Sequence, residues 1–314
     1  MISFGPVPSR RLGKSLGINN ILSPKVCSYG CVYCQVGHTV KKSISRESFF
    51  QPEYIFRKVE EHIKQLSSEH YPDYLAFVSN GEPTLDINLG KAIRLLKSIG
   101  IPIAVLTNGS LLYDEGVRND LNNADWVSLK IDAGDDDTWQ KVNRPSPELD
   151  FENTIENMIL FASEYKGILC TETMLVDGIN DTINSITAVS EIVKTIKPVK
   201  AYLANPIRPP SEESVVPPDS EKMNRAWQIF NKNHIPTEFL TRFEGTDAGY
   251  TGNIYDDILN ITAVHPLRQD SLIRLLRNDN ADIKIVKSLL KQRLIRSTIY
   301  NGNKYYMREY HIQK

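Results

Sequence analysis

The sequence predicts an α/β fold: a partial (β/α)6 barrel of six parallel strands with helices packed outside it, followed by a small winged-helix-like domain. Three observations lead there. Apolar, β-branched runs alternate with amphipathic stretches between residues 15 and 234, the pattern of a parallel sheet covered by helices. Polar and glycine-rich clusters ("SNGEPT", "TNGS", "KIDAGDDD", "VDGIND" and "ANPIRPP") close successive strand candidates, at the end where parallel α/β folds bind ligands. From residue 254 the alternation gives way to three helical stretches and a hairpin.

Taken in order, residues 15–22 (SLGINNIL) read as a strand entering a cysteine-bearing loop. Residues 52–69 have helical periodicity, 73–79 are a strand, and 86–100 are a helix closed by glycine. Strand and turn follow at 101–109, and a strand with a polar far end at 126–133. A helix spans 150–167, again ending in glycine; strand 168–178, helix 183–197, strand 199–207 and helix 219–234 complete the series. Six units fall short of the roughly 250 residues of a closed eight-unit barrel, so the barrel is open. The proline-rich stretch 205–221 reads as an ordered loop across the barrel mouth. Asn301-Gly302 marks the C-terminal hairpin turn. The expected division is a barrel over 1–235, a connection over 236–253 and a winged-helix-like domain over 254–314.

Of 314 residues, 41% are hydrophobic and 24% charged, with a net charge of −1. That balance selects neither a polyanion binder nor a membrane-surface protein. The charge is uneven, however. From His265 to Lys314, five Lys and six Arg face four acidic residues, or +7, which leaves −8 for the remainder. The N-terminus lacks a signal-like apolar segment, and no apolar run approaches the ~18–20 residues of a membrane span. A cytoplasmic chain without membrane contact is therefore expected, and there clustered cysteines serve as ligands or catalysts sooner than as disulfides.

Three of the four cysteines do cluster: Cys27, Cys31 and Cys34, spaced C-x3-C-x2-C. Zinc, an iron–sulfur cluster and a redox thiol set are the candidates. Structural zinc needs four closed ligands, and here the fourth is His38 or something distant. Cys170 sits in an apolar strand and reads as a small buried residue. A 4Fe–4S cluster usually takes four cysteines. With three, one iron is left for a non-protein ligand, and an open coordination position is the mark of a catalytic metal site.

The cysteine motif after the first strand, then "NGEPT", "SLKIDA", "MLVDGIND" and "LANP" in that order, resemble the motifs of the radical S-adenosylmethionine (SAM) superfamily. The resemblance covers roughly residues 13–210. It implies a 4Fe–4S cluster on Cys27, Cys31 and Cys34, with SAM chelating the open iron. It places Tyr33 against the adenine, and Gly81 and Glu82 at the methionine amino group. Ser128, Lys130 and Asp132 share one strand face; the resemblance sets Lys130 at the SAM carboxylate and Asp132 at the ribose. Val176, Gly178 and Asn205 become adenine neighbours. One electron from an external donor of flavodoxin or ferredoxin type then cleaves SAM to a 5′-deoxyadenosyl radical that abstracts hydrogen from a substrate. No catalytic side chain beyond the cluster is implied.

The stretches "FGPVPSRRLGKSLGINN", "PIRPPSEESVVPP" and "ITAVHPLR" resemble a group of radical SAM iron–sulfur oxidoreductases from which no substrate carries over. Arg10 and Arg208 are expected to face the cavity and hold a phosphate or carboxylate, and Arg11 to lie on the surface. Lys284, Lys287, Lys291, Arg293, Arg296 and Lys304 offer phosphate contacts for RNA such as tRNA. A winged helix also suits an extended peptide, and a capping domain with a solvated basic face explains the same charges. Tyr300, Tyr305 and Tyr306 fit hairpin packing. There is no second cysteine cluster and no cobalamin-domain signature. The alternative from another class is a non-catalytic iron–sulfur sensor that binds nucleic acid through the winged helix.

Overall fold

Strand alternation sorts the apolar residues of one long sheet onto two faces, and the helices cover only one of them. The computed structural model describes residues 2–22 and 24–309. The chain opens with an antiparallel hairpin, β1 (Ser3–Ser9) and β2 (Gly13–Ile18). Two short strands, β3 (Val26–Cys27) and β4 (Lys41–Lys42), pair across the cysteine loop. Helix α1 (Pro52–Gln65) leads to β5 (Tyr74–Phe77). Then come α2 (Leu89–Leu96), β6 (Ile103–Thr107), α3 (Glu115–Leu121), β7 (Trp126–Lys130), α4 (Asp136–Val142), α5 (Phe151–Glu164), β8 (Ile168–Met174), α6 (Ile183–Ile196), β9 (Lys200–Ala204), α7 (Ser220–Lys232) and β10 (Thr237–Leu240).

The sheet order is β1-β2-β5-β6-β7-β8-β9-β10, with every pair after the first hairpin parallel. This is the expected partial barrel, extended by a strand at each end. Neither addition was legible. β1 contains Gly5, Pro6 and Pro8 within seven residues, and β10 is a four-residue strand (TEFL) without alternation. It lies inside the stretch expected only to connect.

On the outer face Leu75, Phe77, Ile103, Val105, Val127 and Leu129 pack beneath the helices in one large core. The inner face carries smaller or polar side chains, among them Ala76, Ala104, Cys170 and Tyr202. Cys170 is 2% exposed, as expected of a small buried residue. Helix starts are written in the sequence. Asp114, Asp135, Asp150, Thr182 and Asp219 each accept a backbone N–H as N-cap of α3 to α7. Gly100 ends the α2 segment at φ +82°. Gly167 does not cap α5, which stops at Glu164. A Cβ on Gly167 would lie 2.3 Å from the Tyr165 hydroxyl, so glycine is there to admit the tyrosine.

The C-terminal unit is α8 (Ile254–Thr262), β11 (Leu267–Arg268), α9 (Gln269–Asn278), α10 (Lys284–Lys291), β12 (Ile295–Tyr300) and β13 (Asn303–Arg308), with strand order β11-β13-β12. Asn301 and Gly302 make the hairpin turn with φ +46° and +72°. Ile258, Leu272, Leu275, Val286 and Leu289 form its core, and Phe4 and Val7 of β1 complete it. Phe4 fits because residue 17 is glycine: a Cβ there would be 2.0 Å from the ring. The C-terminal unit therefore packs on the inner side of the half-barrel through the first hairpin. No helix among the described residues is long and apolar enough to cross a membrane.

Candidate functional site

The C-terminal ends of β5 to β9 meet the cysteine loop. Gly81 makes the first junction. Its φ is +143°, and a Cβ would stand 1.6 Å from the Val26 carbonyl oxygen. That oxygen accepts from Glu82 N–H at 3.1 Å. Glycine lets the turn after β5 lie directly on the strand that begins the cysteine motif.

Glu82 then binds the next turn. Its carboxylate accepts from Thr84 N–H (3.1 Å), the Thr84 and Thr107 hydroxyls (2.7 and 2.6 Å) and Asn108 N–H (2.8 Å). Burial raises its pKa. Expected at an ammonium, Glu82 in this structure ties the ends of β5 and β6 together. Asn108, so positioned, donates to the Ser28 hydroxyl at 2.9 Å and reaches the Cys27 sulfur at 3.8 Å.

Each cysteine of the motif has such a donor. Asn143 donates to Cys31 Sγ at 3.4 Å, and Lys25 Nζ lies 3.0 Å from Cys34 Sγ. Burial pushes the Cys27 thiol up to about 12 and the Cys31 thiol to about 11. Burial acts the same way on Cys34, but the Lys25 ammonium and the N–H groups of Val36 and Gly37 outweigh it and lower its pKa. Among the described residues no three His, Cys, Asp or Glu side chains converge on a point suited to one metal ion. A cubane cluster asks for no such point, because each thiolate bonds a different iron. His38, the nearby candidate for a fourth zinc ligand, has a side chain 72% exposed.

Across from the cysteines, the expected strand residues do converge. Tyr33 donates its hydroxyl proton to Asp132, and Lys130 Nζ lies 4.8 Å from the Tyr33 ring centroid. Asp132 also accepts from Asn143 (2.8 Å) and Met174 N–H (2.7 Å), and Lys130 is 3.6 Å from it. Lys130 pairs with Glu172 at 3.0 Å, whose other oxygen takes the Arg11 guanidinium. Burial opposes the Lys130 charge, yet Asp132 and Glu172 outweigh it and raise its pKa. Asn205 Oδ1, just past the end of β9, is buried without a hydrogen-bond partner, as is Ser128 Oγ in the middle of β7.

Val176 is fully buried behind this group, whereas Gly178 lies exposed in a turn at φ +70°. Asn180, within the MLVDGIND stretch but not singled out there, bridges the two strand ends: it donates to the carbonyls of Asp132 (2.8 Å) and Met174 (2.9 Å). Lys25, Asn143 and Glu172 were also missed. A lone acid in the strand ILCTETM was the available signal for Glu172, since it shares the inner face with Cys170.

The proline-rich loop is ordered across this end, as expected. The Ser211 hydroxyl lies 2.9 and 2.8 Å from the carbonyl oxygens of Cys31 and Val32. Tyr300 and Tyr305 hold the same loop, donating to the carbonyls of Pro206 (3.1 Å) and Ile207 (2.9 Å). Arg10 and Arg208 line one internal cavity with Arg11 and His265. Arg11 is not at the surface: its side chain is 17% exposed and its charge is spent on Glu172.

The fold and the sequence of this chain both have known relatives. The profile of the radical SAM superfamily matches residues 21–186, and the chain belongs to that superfamily. It is 47% identical over 311 residues to a UPF0026 protein of Methanocaldococcus jannaschii, covering 98% of this chain and 96% of that one. A radical SAM methyltransferase from Sphaerobacter thermophilus shares the fold (TM-score 0.53, 16% identity, 73% of this chain and 67% of that one). So does Streptococcus suis SuiB bound to S-adenosylmethionine (TM-score 0.51, 13% identity, 72% and 52%). The chain is a radical SAM enzyme, of a family whose cofactors are a 4Fe–4S cluster and SAM.

Proposed function

We propose that Cys27, Cys31 and Cys34 hold the 4Fe–4S cluster and that SAM lies between it and the ends of β5 to β9. The observation that carries this reading is the set of three thiols on one loop, Cys27 buried and Cys31 and Cys34 half-buried, each with its own N–H donor. Hydrogen bonds to cluster sulfurs are how a protein stabilises the cluster's negative charge. Gly81 keeps the neighbouring backbone close, and Lys130 supplies a buried cation for the SAM carboxylate. Asp132 and Tyr33 supply a polar edge and a ring for the nucleoside, with Val176, Gly178 and Asn205 as its further neighbours. Glu82 acts by holding Asn108 as well as by offering a carboxylate. A 4Fe–4S cluster held by these three thiolates would supply the electron for reductive cleavage of SAM.

The chain's own residues bind, orient and exclude water. The proline-rich loop, held by Ser211, covers the site from one side. The reductant is an external flavodoxin or ferredoxin. We read the radical SAM barrel as running through β10 (Thr237–Leu240), residues 241–253 as connection and residues 254–309 as a winged helix, on the order of its helices and strands. Lys284, Lys287, Lys291, Arg293, Arg296 and Lys304 are exposed on that unit, which supports RNA or a protein as the substrate-bearing molecule.

The test is anaerobic reconstitution, then dithionite and SAM. Formation of 5′-deoxyadenosine is expected; its absence from a fully loaded cluster favours the non-catalytic iron–sulfur sensor. Cys31→Ala should abolish the iron–sulfur absorption and Cys170→Ala should keep it. Retained absorption in the first variant refutes the ligand assignment.

A further inference from the structure

Guanidinium groups largely withdrawn from water are costly unless paired. The inner face of the half-barrel holds three of them. Arg11 is matched by Glu172. Arg208 pairs with Glu244 and donates to Gln35 Oε1 at 2.9 Å. Arg10 has the weakest match: it donates to the Leu240 carbonyl, and its Nε is 4.0 Å from Glu244. With Lys130, four cations face the three carboxylates of Asp132, Glu172 and Glu244. Glu244 is shared further, since His265 Nε2 lies 3.8 Å from it.

The side chains of Arg10 and Arg208 are 19% and 11% exposed and line a cavity of about 90 Å³. Apolar walls from Phe4, Val78 and Leu106 surround them. Burial lowers the pKa of Arg10 to about 10, and burial and then the neighbouring Arg10 lower that of Arg208 to about 9. Burial and the two guanidinium groups lower that of His265 well below its ordinary value. The cavity adjoins the cysteine loop, because Gln35 follows Cys34 and anchors Arg208. It also adjoins the proposed SAM side through the chain Arg11, Glu172, Lys130, Tyr33.

We propose that Arg10 and Arg208 form an oxyanion subsite that receives a carboxylate or phosphate of the substrate. Planar guanidinium forks suit both groups, and the cavity admits a small anionic group. The linker residue Glu244 occupies part of this field and yields contacts to the incoming anion. That the anion belongs to the substrate rests on the radical SAM reading; the existence of the subsite does not.

The experiment therefore uses the full-length chain without SAM or reductant, so its outcome is independent of SAM cleavage. Thermal unfolding is followed against inorganic phosphate and against acetate, with chloride at matched ionic strength and pH. A saturable rise in Tm above chloride is expected, and Arg208→Lys, which keeps the charge and loses the fork, should weaken the apparent affinity at least tenfold. A response to phosphate or to acetate assigns the group. No rise above chloride, or an equal rise in Arg208→Lys, overturns the proposal. Phenylglyoxal modification mapped by mass spectrometry needs no variant. The effective anion should slow labelling of Arg10 and Arg208 but not of exposed Arg293, and unprotected Arg10 and Arg208 would equally refute the subsite.

Discussion

Lys25 stands two positions before Cys27 yet contacts Cys34, because the loop folds back on itself and Lys25 also donates to the Gly37 carbonyl at 2.8 Å. It is 6% exposed. A fixed positive charge beside a cluster sulfur favours the state with one more electron, so on the ligand assignment proposed above Lys25 raises the cluster's reduction potential. Lys25→Gln keeps a hydrogen-bond donor and removes the charge. An EPR-monitored redox titration should then show the midpoint moved to more negative potential; an unchanged or more positive midpoint would refute the role. Asn108 and Asn143 are neutral donors to the other two sulfurs, and their substitution should move the potential less.

At the scale of elements, the β7–β8 pair carries an ion-pair network on the inner face of the barrel. Register places Lys130 beside Glu172, and Arg11 arrives from the turn between β1 and β2. Burial would raise the Glu172 pKa, but Arg11 and Lys130 more than offset it and hold the carboxyl at about 2. Glu172→Gln strands two buried cations and should cost about 3–5 kcal/mol in denaturant unfolding at pH 7. The sign with pH follows from the lowered pKa. The stabilisation is complete above the ordinary value of 4.5 and is lost as pH falls toward about 2. The gap between wild type and variant should narrow at pH 3; a constant gap would assign the loss to packing.

For the whole molecule, the joint between half-barrel and C-terminal unit depends on a short linker. Thr251 donates its N–H and hydroxyl to Asp257 at 2.8 and 3.0 Å, and Gly249 N–H reaches the Pro6 carbonyl at 2.7 Å. Burial raises the Asp257 pKa to about 6, with its backbone and side-chain hydrogen bonds only partly opposing. The folded state then holds more protons than the unfolded chain between the ordinary 3.8 and about 6, so this residue's contribution to stability grows as pH falls through that window. Asp257→Asn should flatten the dependence of Tm on pH between about 6 and 4. An identical pH profile in the variant would show that Asp257 does not control it.

What the sequence determined by itself is whatever is local. Strand and helix periodicity, the Asn-Gly turn and the C-x3-C-x2-C spacing act within a few residues, and each is legible in order along the chain. Gly81 was legible as a motif, but its reason, a carbonyl 1.6 Å from where a Cβ would be, lies in another strand. The tertiary structure alone decided the partnerships across long separations: Lys130 with Glu172, Arg208 with Glu244, Asn143 with Cys31, and β1 in the core of the C-terminal unit. It also moved Arg11 from the expected surface into the barrel. Charge pairing and burial depend on distance in space, and a parallel sheet brings together residues that periodicity along the chain cannot relate.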